Sequence, residues 1–335
     1  PIYYGFDYVL WEQIYAITRP LLWATIAWFI MSYGDLKLAK HILLVILVCY
    51  VLTGITTIAG CFVFPNAARL MANGMSEEQE MLAQFQIYNI GGFSFVYSVT
   101  LLIPLLIHFY KDGHCSRWLL ALFLGLIFSL VIVTEYTIAL IGALFATIPL
   151  FFKRNVETRK ILITILLGTG LLFSFKPFFA DLINWFSTLF DSEQIATRLQ
   201  EISMALSDNL TNDDTDLEDR MSRWETSWKL FVNNFFIGSP EPNGGHSFIF
   251  DNMAKYGIVG IIAMMIVGNS IYKHYYASFK NSNVYTYLVI IGITQLIYAF
   301  LNPKLYIEVF VLIVPLYTYI YCRNENSLDN KHTIA

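Results

Sequence analysis

Charged residues are scarce in this chain, at 14% of 335 residues, against about a quarter in an ordinary soluble domain. They also leave long gaps, and residues 42–64 run for 23 positions without a charge. A bilayer core about 30 Å thick is crossed by about 20 apolar residues in a helix. The composition therefore excludes a soluble globular domain and predicts an all-α polytopic membrane protein.

Three other features are missing. No run of basic residues is present, so we expect no nucleic-acid partner. No signal peptide is visible, and a start at Pro1 rather than Met is compatible with a fragment that lacks upstream helices. No cysteine pair has metal or redox spacing, and we interpret the four cysteines as small apolar residues: Cys49, Cys61, Cys115 and Cys322.

Hydropathy predicts about nine transmembrane helices in this chain. The first six form an N-terminal bundle within 1–179, a polar segment occupies 180–246, and three further spans with a cytoplasmic tail occupy 247–335. The predicted spans are roughly 14–33, 42–64, 87–109, 118–134, 136–152, 161–179, 247–271, 284–301 and 305–322.

Lysine and arginine in the short loops predict the orientation, because they prefer the cytoplasmic side. The opposite loops are poor in bases, so the segment 180–246 is predicted to lie outside the cytoplasm. The basic loops alternate along the chain and carry Lys37 and Lys40, Lys111 and Arg117, Lys153, Arg154, Arg159 and Lys160, and Lys273 and Lys280.

Two amphipathic helices are predicted in this outer segment. Residues 191–206 carry apolar side chains at helical steps, and Thr215 with Glu218 has the capping-box spacing that starts a second helix. The second helix has an aromatic-rich apolar stripe, which suits a membrane interface. A glycine- and proline-rich break at 238–245 follows it. The stripe consists of Met221, Trp224, Trp228, Phe231 and Phe235.

A histidine and two glycines form the most informative motif. His246-Ser247 is followed by nine residues and then by Gly257-x-x-Gly260. The eleven steps from His246 to Gly257 turn a helix through about 1100°, so we expect these three residues to share one face. Small residues at that spacing let a neighbouring helix pack closely. The alternative is an ordinary packing motif with an interfacial histidine.

Arg220 flanks the aromatic stripe four residues before Trp224, while Arg223 lies further round on the polar face. A guanidinium at headgroup level suits a diphosphate, because its planar fork donates two parallel charged hydrogen bonds. The alternative is an arginine that only anchors the helix at the interface.

Together these residues resemble the O-antigen polymerase and O-antigen ligase superfamily, whose members have many transmembrane helices and a large periplasmic loop before the last spans. The resemblance in motif covers about 218–260. Related proteins often carry an arginine between two mid-chain helices, where this chain has Thr134-Glu135-Tyr136-Thr137, so that phosphate contact is unmatched. The matching strings are Arg220-Met221-Ser222-Arg223-Trp224, Phe236-Ile237-Gly238, and His246-Ser247 with Gly257 and Gly260.

The resemblance implies a glycosyltransferase in the bacterial inner membrane, active at the periplasmic face. It would polymerise undecaprenyl-diphosphate-linked oligosaccharide repeats into O-antigen or capsular polysaccharide. The implied partners are those lipid-linked glycans, the lipid bilayer and a chain-length regulator, and no cofactor is expected. Two alternatives stay open: an O-antigen ligase of the same superfamily, and a lipid-linked sugar flippase or other transporter. Six spans, a polar segment and three spans lack the symmetry of many transporters.

Under this resemblance His246 and Arg220 are the candidate catalytic residues. Imidazole titrates near neutral pH, so His246 is suited to take the proton of the acceptor hydroxyl. Arg220 is the first candidate ligand of the leaving diphosphate, and Arg69 is the second. A role for Arg69 as a helix-end anchor stays open.

Arg223, Lys255 and Glu308 are further substrate-binding candidates. Lys255 follows Asp251 by four residues, and we expect the two to pair with each other. Glu308 lies within the last predicted span without an obvious local partner beyond Lys304, which makes it a second candidate base or acceptor ligand.

The acidic pair Asp214 and Asp216 has the Asp-x-Asp pattern that holds a metal in some glycosyltransferases. The acids lie at the predicted start of a helix, where the helix dipole favours negative charge. We interpret them as helix-starting residues and expect no metal.

Overall fold

A computed structural model describes most of the chain as helices. Side chains are not described at 8–17, 168–173, 216–220 and 271. The described residues are 8–64, 67–68, 88–153, 157–189, 196–197, 199–200, 203–204, 216–241, 243–271, 273 and 283–321.

The elements in these ranges are helical throughout, which confirms the all-α expectation for the described part. A 3₁₀ turn at Ile148–Phe151 follows the helix Thr137–Ala146, and the helix Val309–Tyr321 opens with a π-helical stretch at Val309–Ile313. The helices are α1 Tyr8–Tyr33, α2 Leu36–Val63, α3 Phe93–Thr100, α4 Ile103–Lys111, α5 Arg117–Val133, α6 Thr137–Ala146, α7 Thr158–Ser174, α8 Lys176–Ser187, α9 Asp216–Asn233, α10 Phe248–Ile271, α11 Val284–Leu301 and α12 Val309–Tyr321.

Four stretches of the described helices are long and apolar enough to cross a membrane: Leu36–Val63, Phe93–Lys111, Phe248–Ser270 and Val284–Leu301. Arg117–Val133, Thr137–Phe151 and Val309–Tyr321 are shorter apolar helices. By length and composition these helices are compatible with a multi-pass membrane protein, while the count of nine spans stays a prediction.

Two predicted spans are interrupted. The span predicted at 161–179 ends at Ser174, because Phe175 leaves the helical region at φ −118° and ψ 37°. A new helix, α8, begins at Lys176, with proline in its first turn where a missing N–H costs nothing. The span predicted at 87–109 consists of α3 and α4 in tandem, with Pro104 in the first turn of α4.

The chain divides into two compact units. The first contains residues 1–53 and 306–335. Its α1 ends at Gly34, whose φ of 71° suits a helix end, and the Asp35 carboxylate then caps α2 by accepting from the Leu38 N–H at 2.9 Å. Its apolar cluster contains Ala27, Ile30, Ala39, Leu312 and Leu316.

The second unit contains residues 54–305 and includes the candidate site. Its core is centred on Tyr298 of α11, which is fully buried. The Tyr298 hydroxyl lies 2.6 Å from Thr100 Oγ1 of α3, and an added Cβ at Gly142 of α6 would lie 2.0 Å from that hydroxyl. Three helices therefore meet around one phenol, and α11 is held firmly in the unit.

Candidate functional site

The amphipathic helix predicted after Thr215 is α9, and it packs along α10. The predicted apolar stripe is buried only in part. Phe231 is buried, and Trp224 lies with its ring centroid 6.1 Å from that of Phe250 in α10. Met221, Trp228 and Phe235 are exposed instead. Trp228 also lies against Phe250, with ring centroids 6.3 Å apart, so the stripe packs within the unit along one edge. Its exposed apolar side chains suit a membrane interface.

Two glycines allow α9 and α10 to approach each other at backbone distance. An added Cβ at Gly257 would lie 2.6 Å from the Phe236 carbonyl, and one at Gly238 would lie 2.4 Å from the Lys255 carbonyl. Both glycines have positive φ, at 59° and 84°. Gly257 combines its φ with a ψ of −165°, a region that only glycine adopts readily.

The bend at Gly257 frees backbone groups of α10, and the segment just after α9 satisfies them. The Ile258 N–H donates to the Phe235 carbonyl at 2.8 Å, and the Val259 N–H donates to the Phe236 carbonyl at 3.2 Å. In return, the Ser239 N–H donates to the Ala254 carbonyl at 2.8 Å. The segment that follows α9 is therefore joined to α10 by main-chain hydrogen bonds.

The prediction that His246, Gly257 and Gly260 share one helical face is wrong. His246 precedes α10, which begins at Phe248, and Gly257 interrupts the helix between the histidine and the second glycine. Close packing at Gly257 was correctly expected, but its partner is the end of α9 rather than the side of a neighbouring helix.

The loop at 243–247, here called the His246 loop, is organised by the Asp251 carboxylate. Asp251 is 9% exposed. Its Oδ2 accepts from the Ser247 N–H at 3.0 Å, and its Oδ1 accepts from the Gly245 N–H at 3.2 Å. Oδ1 also accepts from the Ser227 hydroxyl of α9 at 2.7 Å. The carboxylate therefore binds the peptide N–H groups on both sides of half-buried His246.

Further hydrogen bonds tie the same loop to three helices. The Gly244 N–H donates to the Ser227 hydroxyl at 2.9 Å, and an added Cβ at Gly244 would lie 2.1 Å from the Arg223 carbonyl. The Ser247 hydroxyl donates to the Ala299 carbonyl of α11 at 3.3 Å, and the N–H of Phe248, which follows the loop, donates to the Asn302 carbonyl just beyond α11 at 2.7 Å. The loop is thus fixed against α9, α10 and the end of α11.

The expected pair of Asp251 with Lys255 is wrong. The carboxylate is occupied by the three donors of the loop and α9, whereas Lys255 is exposed with its Nζ 5.3 Å from the Tyr256 ring centroid. Burial explains why Asp251 binds the loop and not Lys255. The buried carboxylate has lost its water and needs hydrogen-bond donors, whereas the exposed ammonium of Lys255 keeps its water. Lys255 is therefore exposed one turn beyond Asp251, and its substrate-binding role stays a prediction.

The arginine candidates are described to different extents. Arg223 is exposed on α9, as its place on the polar face predicts. Arg220 lies in the first part of α9, but only its backbone is described. Arg69 lies outside the described residues, so the convergence of Arg69, Arg220 and His246 stays a prediction.

Glu308 belongs to the first unit, where its Oε1 lies 2.7 Å from Nη2 of Arg19. The partner that local spacing leaves missing is thus Arg19 of α1. Arg19 is distant in sequence from Glu308, so local spacing did not reveal the pair. The proposed role of Glu308 as a base or acceptor ligand is not tested by this contact.

Most of the Asp-x-Asp pattern lies outside the described residues. Asp214 lies outside the described residues, and Asp216 is described only as the first residue of α9. Within the described part of the chain, no three histidine, cysteine or acidic side chains group in a way that could hold a metal.

Sequence reasoning missed two residues of this site, Ser227 and Asn302. Ser227 lies on the buried face of α9, between Trp224 and Phe231, but an isolated serine in an aromatic stripe gave no chemical signal. Asn302 follows a long apolar helix, where an asparagine was indistinguishable from an ordinary helix-end residue. Asp251 was considered only as a partner of Lys255, although an acid in the first turn of a helix is favoured by the helix dipole.

Comparison with protein-family models and with curated protein sequences found no match for this chain. The resemblance to the O-antigen polymerase and ligase superfamily therefore depends on the motif residues and the hydropathy pattern.

Proposed function

We propose that this chain is a membrane glycosyltransferase that polymerises undecaprenyl-diphosphate-linked oligosaccharide repeats at the periplasmic face of the bacterial inner membrane. Its product is O-antigen or capsular polysaccharide. Three features support the proposal: the apolar helices, the motif from Arg220 to Gly260, and the anchored loop that carries His246.

The observation that carries the proposal is the fixed position of His246. A general base must lie within hydrogen-bond reach of the proton that it removes, so its backbone must be held firmly. The N–H groups of Gly245 and Ser247 are both bound by Asp251, and the next N–H, of Phe248, is bound by the Asn302 carbonyl. A histidine that only anchors a helix at the interface needs no such arrangement.

The proposed reaction transfers a growing glycan from its lipid diphosphate to the next repeat. The acceptor hydroxyl oxygen attacks the anomeric carbon of the donor, and His246 takes the hydroxyl proton. The bond between that carbon and the phosphate oxygen breaks, and the diphosphate leaves with the electron pair. Arg220, with Arg69, is proposed to stabilise the negative charge that builds on the leaving group.

The proposed membrane arrangement has nine spans with residues 180–246 outside the cytoplasm. It is supported by the alternation of basic and base-poor loops along the sequence. The exposed side chains of Met221 and Trp228 on α9, and of Phe235 just beyond it, support a helix that lies in the outer interface. This arrangement brings His246 to the headgroup region, where a lipid diphosphate is available.

Charge in the outer segment favours a polymerase over a ligase. Residues 180–246 contain four basic and twelve acidic residues, a net charge of −8. A ligase must bind a finished lipid A–core whose phosphates are strongly anionic, and such a segment repels it at long range. A polymerase accepts another repeat on undecaprenyl diphosphate and has no such requirement.

Deletion of the gene tests this function through the surface glycans. We expect single-repeat glycans in place of the polymer ladder, because repeats are still made, exported and ligated. Unmodified core with full polymer left on undecaprenyl diphosphate would identify a ligase. Loss of repeats from the periplasm would identify a flippase, and either result would overturn the proposal.

A further inference from the structure

Asp251 is bound more extensively than a helix cap requires. Ser247 already caps α10, since its hydroxyl accepts from the Phe250 N–H at 3.3 Å. A capping acid adds one bond back to the N–H of the cap residue, and Asp251 makes that bond to Ser247. Its further bonds, to the Gly245 N–H and the Ser227 hydroxyl, reach beyond the helix start.

The bonds of Asp251 to the loop fix the backbone on both sides of His246. Gly245 and Ser247 flank His246, and each donates its N–H to a different oxygen of the same carboxylate. One fixed N–H group on each side restricts the backbone of His246 to one orientation. Ser227 extends the restraint to Gly244, because its hydroxyl donates to Asp251 and accepts from the Gly244 N–H.

Only a carboxylate fits this set of donors. Two peptide N–H groups and a hydroxyl point at its two oxygens, which accept without offering a proton. An asparagine there would present an NH₂ group to at least one of these donors. Hydrogen bonds from several donors offset the cost of burying the charge, and the first turn of α10 favours an acid.

We propose that Asp251 is the positioning residue of His246 in glycan transfer. Asp251 does not touch the reacting atoms. It holds the histidine backbone so that the imidazole is aligned with the acceptor hydroxyl, and an error of about 1 Å in such alignment costs up to about a hundredfold in rate. The inference rests on the proposed function, since it assigns Asp251 a part in that same site.

Kinetics of the full chain in liposomes test the inference, with an undecaprenyl-diphosphate-linked repeat as substrate. For Asp251→Asn we expect kcat to fall by about tenfold to a hundredfold, while KM for the lipid-linked donor changes by less than about threefold. Asp251→Glu keeps both acceptor oxygens and should recover part of the loss. If the asparagine variant folds poorly, the kcat of Asp251→Glu still tests the inference.

Thr57→Val is the matched control for a lost buried anchor. Thr57 is fully buried and its hydroxyl accepts from the Gly91 N–H at 2.7 Å, so its replacement also leaves a peptide N–H of the same unit without that partner. We expect this variant to lose thermal stability and to keep its kcat within about twofold. An equal fall of kcat in both variants would make Asp251 a general structural residue.

A double-mutant comparison separates positioning from folding. Because Asp251 acts through His246, adding Asp251→Asn to His246→Ala should lower kcat by less than about twofold further. The same loss in both backgrounds, or an Asp251→Asn enzyme with wild-type kcat, would overturn the inference and leave the proposed function standing. A wild-type protein that extends no glycan would overturn both.

Discussion

Arg19 and Glu308 show how much a single contact can alter the interpretation of an ionisable residue. The two side chains are 44% and 24% exposed and lie within predicted spans, where a lone charge is costly. Their atoms are 2.7 Å apart, so each charge has a partner of opposite sign. We infer that the pair contributes to the stability of the first unit.

A double-mutant cycle tests this pair. We expect Arg19→Gln and Glu308→Gln each to lower the thermal stability of the purified protein, because each leaves one charge without its partner. The double variant should be more stable than the two losses predict, with a coupling energy of about 0.5–3 kcal/mol.

The pair of Lys229 with Glu225 on α9 is the control for the cycle. It is 2.6 Å long, but its side chains are 67% and 62% exposed. Exposed pairs of this spacing couple by only about 0.3–0.5 kcal/mol. Equal coupling in both cycles would show that the Arg19–Glu308 pair behaves as an ordinary surface contact.

At the scale of the elements, the crossing of α9 and α10 depends on glycine at position 257. Gly257→Ala should destabilise the protein by about 1–3 kcal/mol from backbone strain alone, since its φ and ψ suit only glycine. The new Cβ would also lie 2.6 Å from the Phe236 carbonyl. Thermal unfolding in detergent measures the loss.

Gly268→Ala provides the control within the same helix. Nothing lies within 4 Å of a Cβ added at Gly268, and alanine favours a helix over glycine by about 1 kcal/mol. We therefore expect unchanged or slightly raised stability. A Gly257→Ala variant as stable as Gly268→Ala would show that the bend at Gly257 does not hold the crossing.

The sequence predicted the existence of α9 and α10 but not how they join. Capping-box spacing gave the start of α9 at Asp216, and hydropathy gave α10 within a residue or two. Neither signal reports the bend at Gly257, because glycine is compatible with an apolar helix and hydropathy carries no φ or ψ. The contact of Gly238 with the bend brings together residues 19 apart, which no local pattern encodes.

The candidate site was predictable where it depended on local sequence. His246 was found from the motif, and Asp251 is an acid in the first turn of the helix that follows it. The pairing of Asp251 with Ser227 was not predictable, because it joins residues 24 apart across a glycine- and proline-rich break. The error over Lys255 arose because spacing of four residues carries no information on burial, and Asp251 is buried while Lys255 is exposed.

For the whole molecule, the orientation in the membrane follows from loop charge. In a variant whose native cysteines are replaced, cysteines at Ser222 and Lys153 should differ in labelling by an impermeant maleimide. Both positions are exposed, so whether the reagent reaches each cysteine depends on the side of the membrane on which it lies. In intact spheroplasts we expect strong labelling at 222 and weak labelling at 153. Equal labelling would contradict the proposed topology.

Glycan extension by the purified protein and by its His246→Ala variant tests the central claim most directly. Removing a general base typically costs about 10²–10⁴-fold in rate, so we expect the variant to lose at least a hundredfold in kcat. His114→Ala is the control, since His114 is exposed beside Asp112 in a loop predicted to be cytoplasmic. Wild-type extension of lipid-linked repeats, lost only in His246→Ala, is the predicted result. Full activity of the His246→Ala variant would contradict the account.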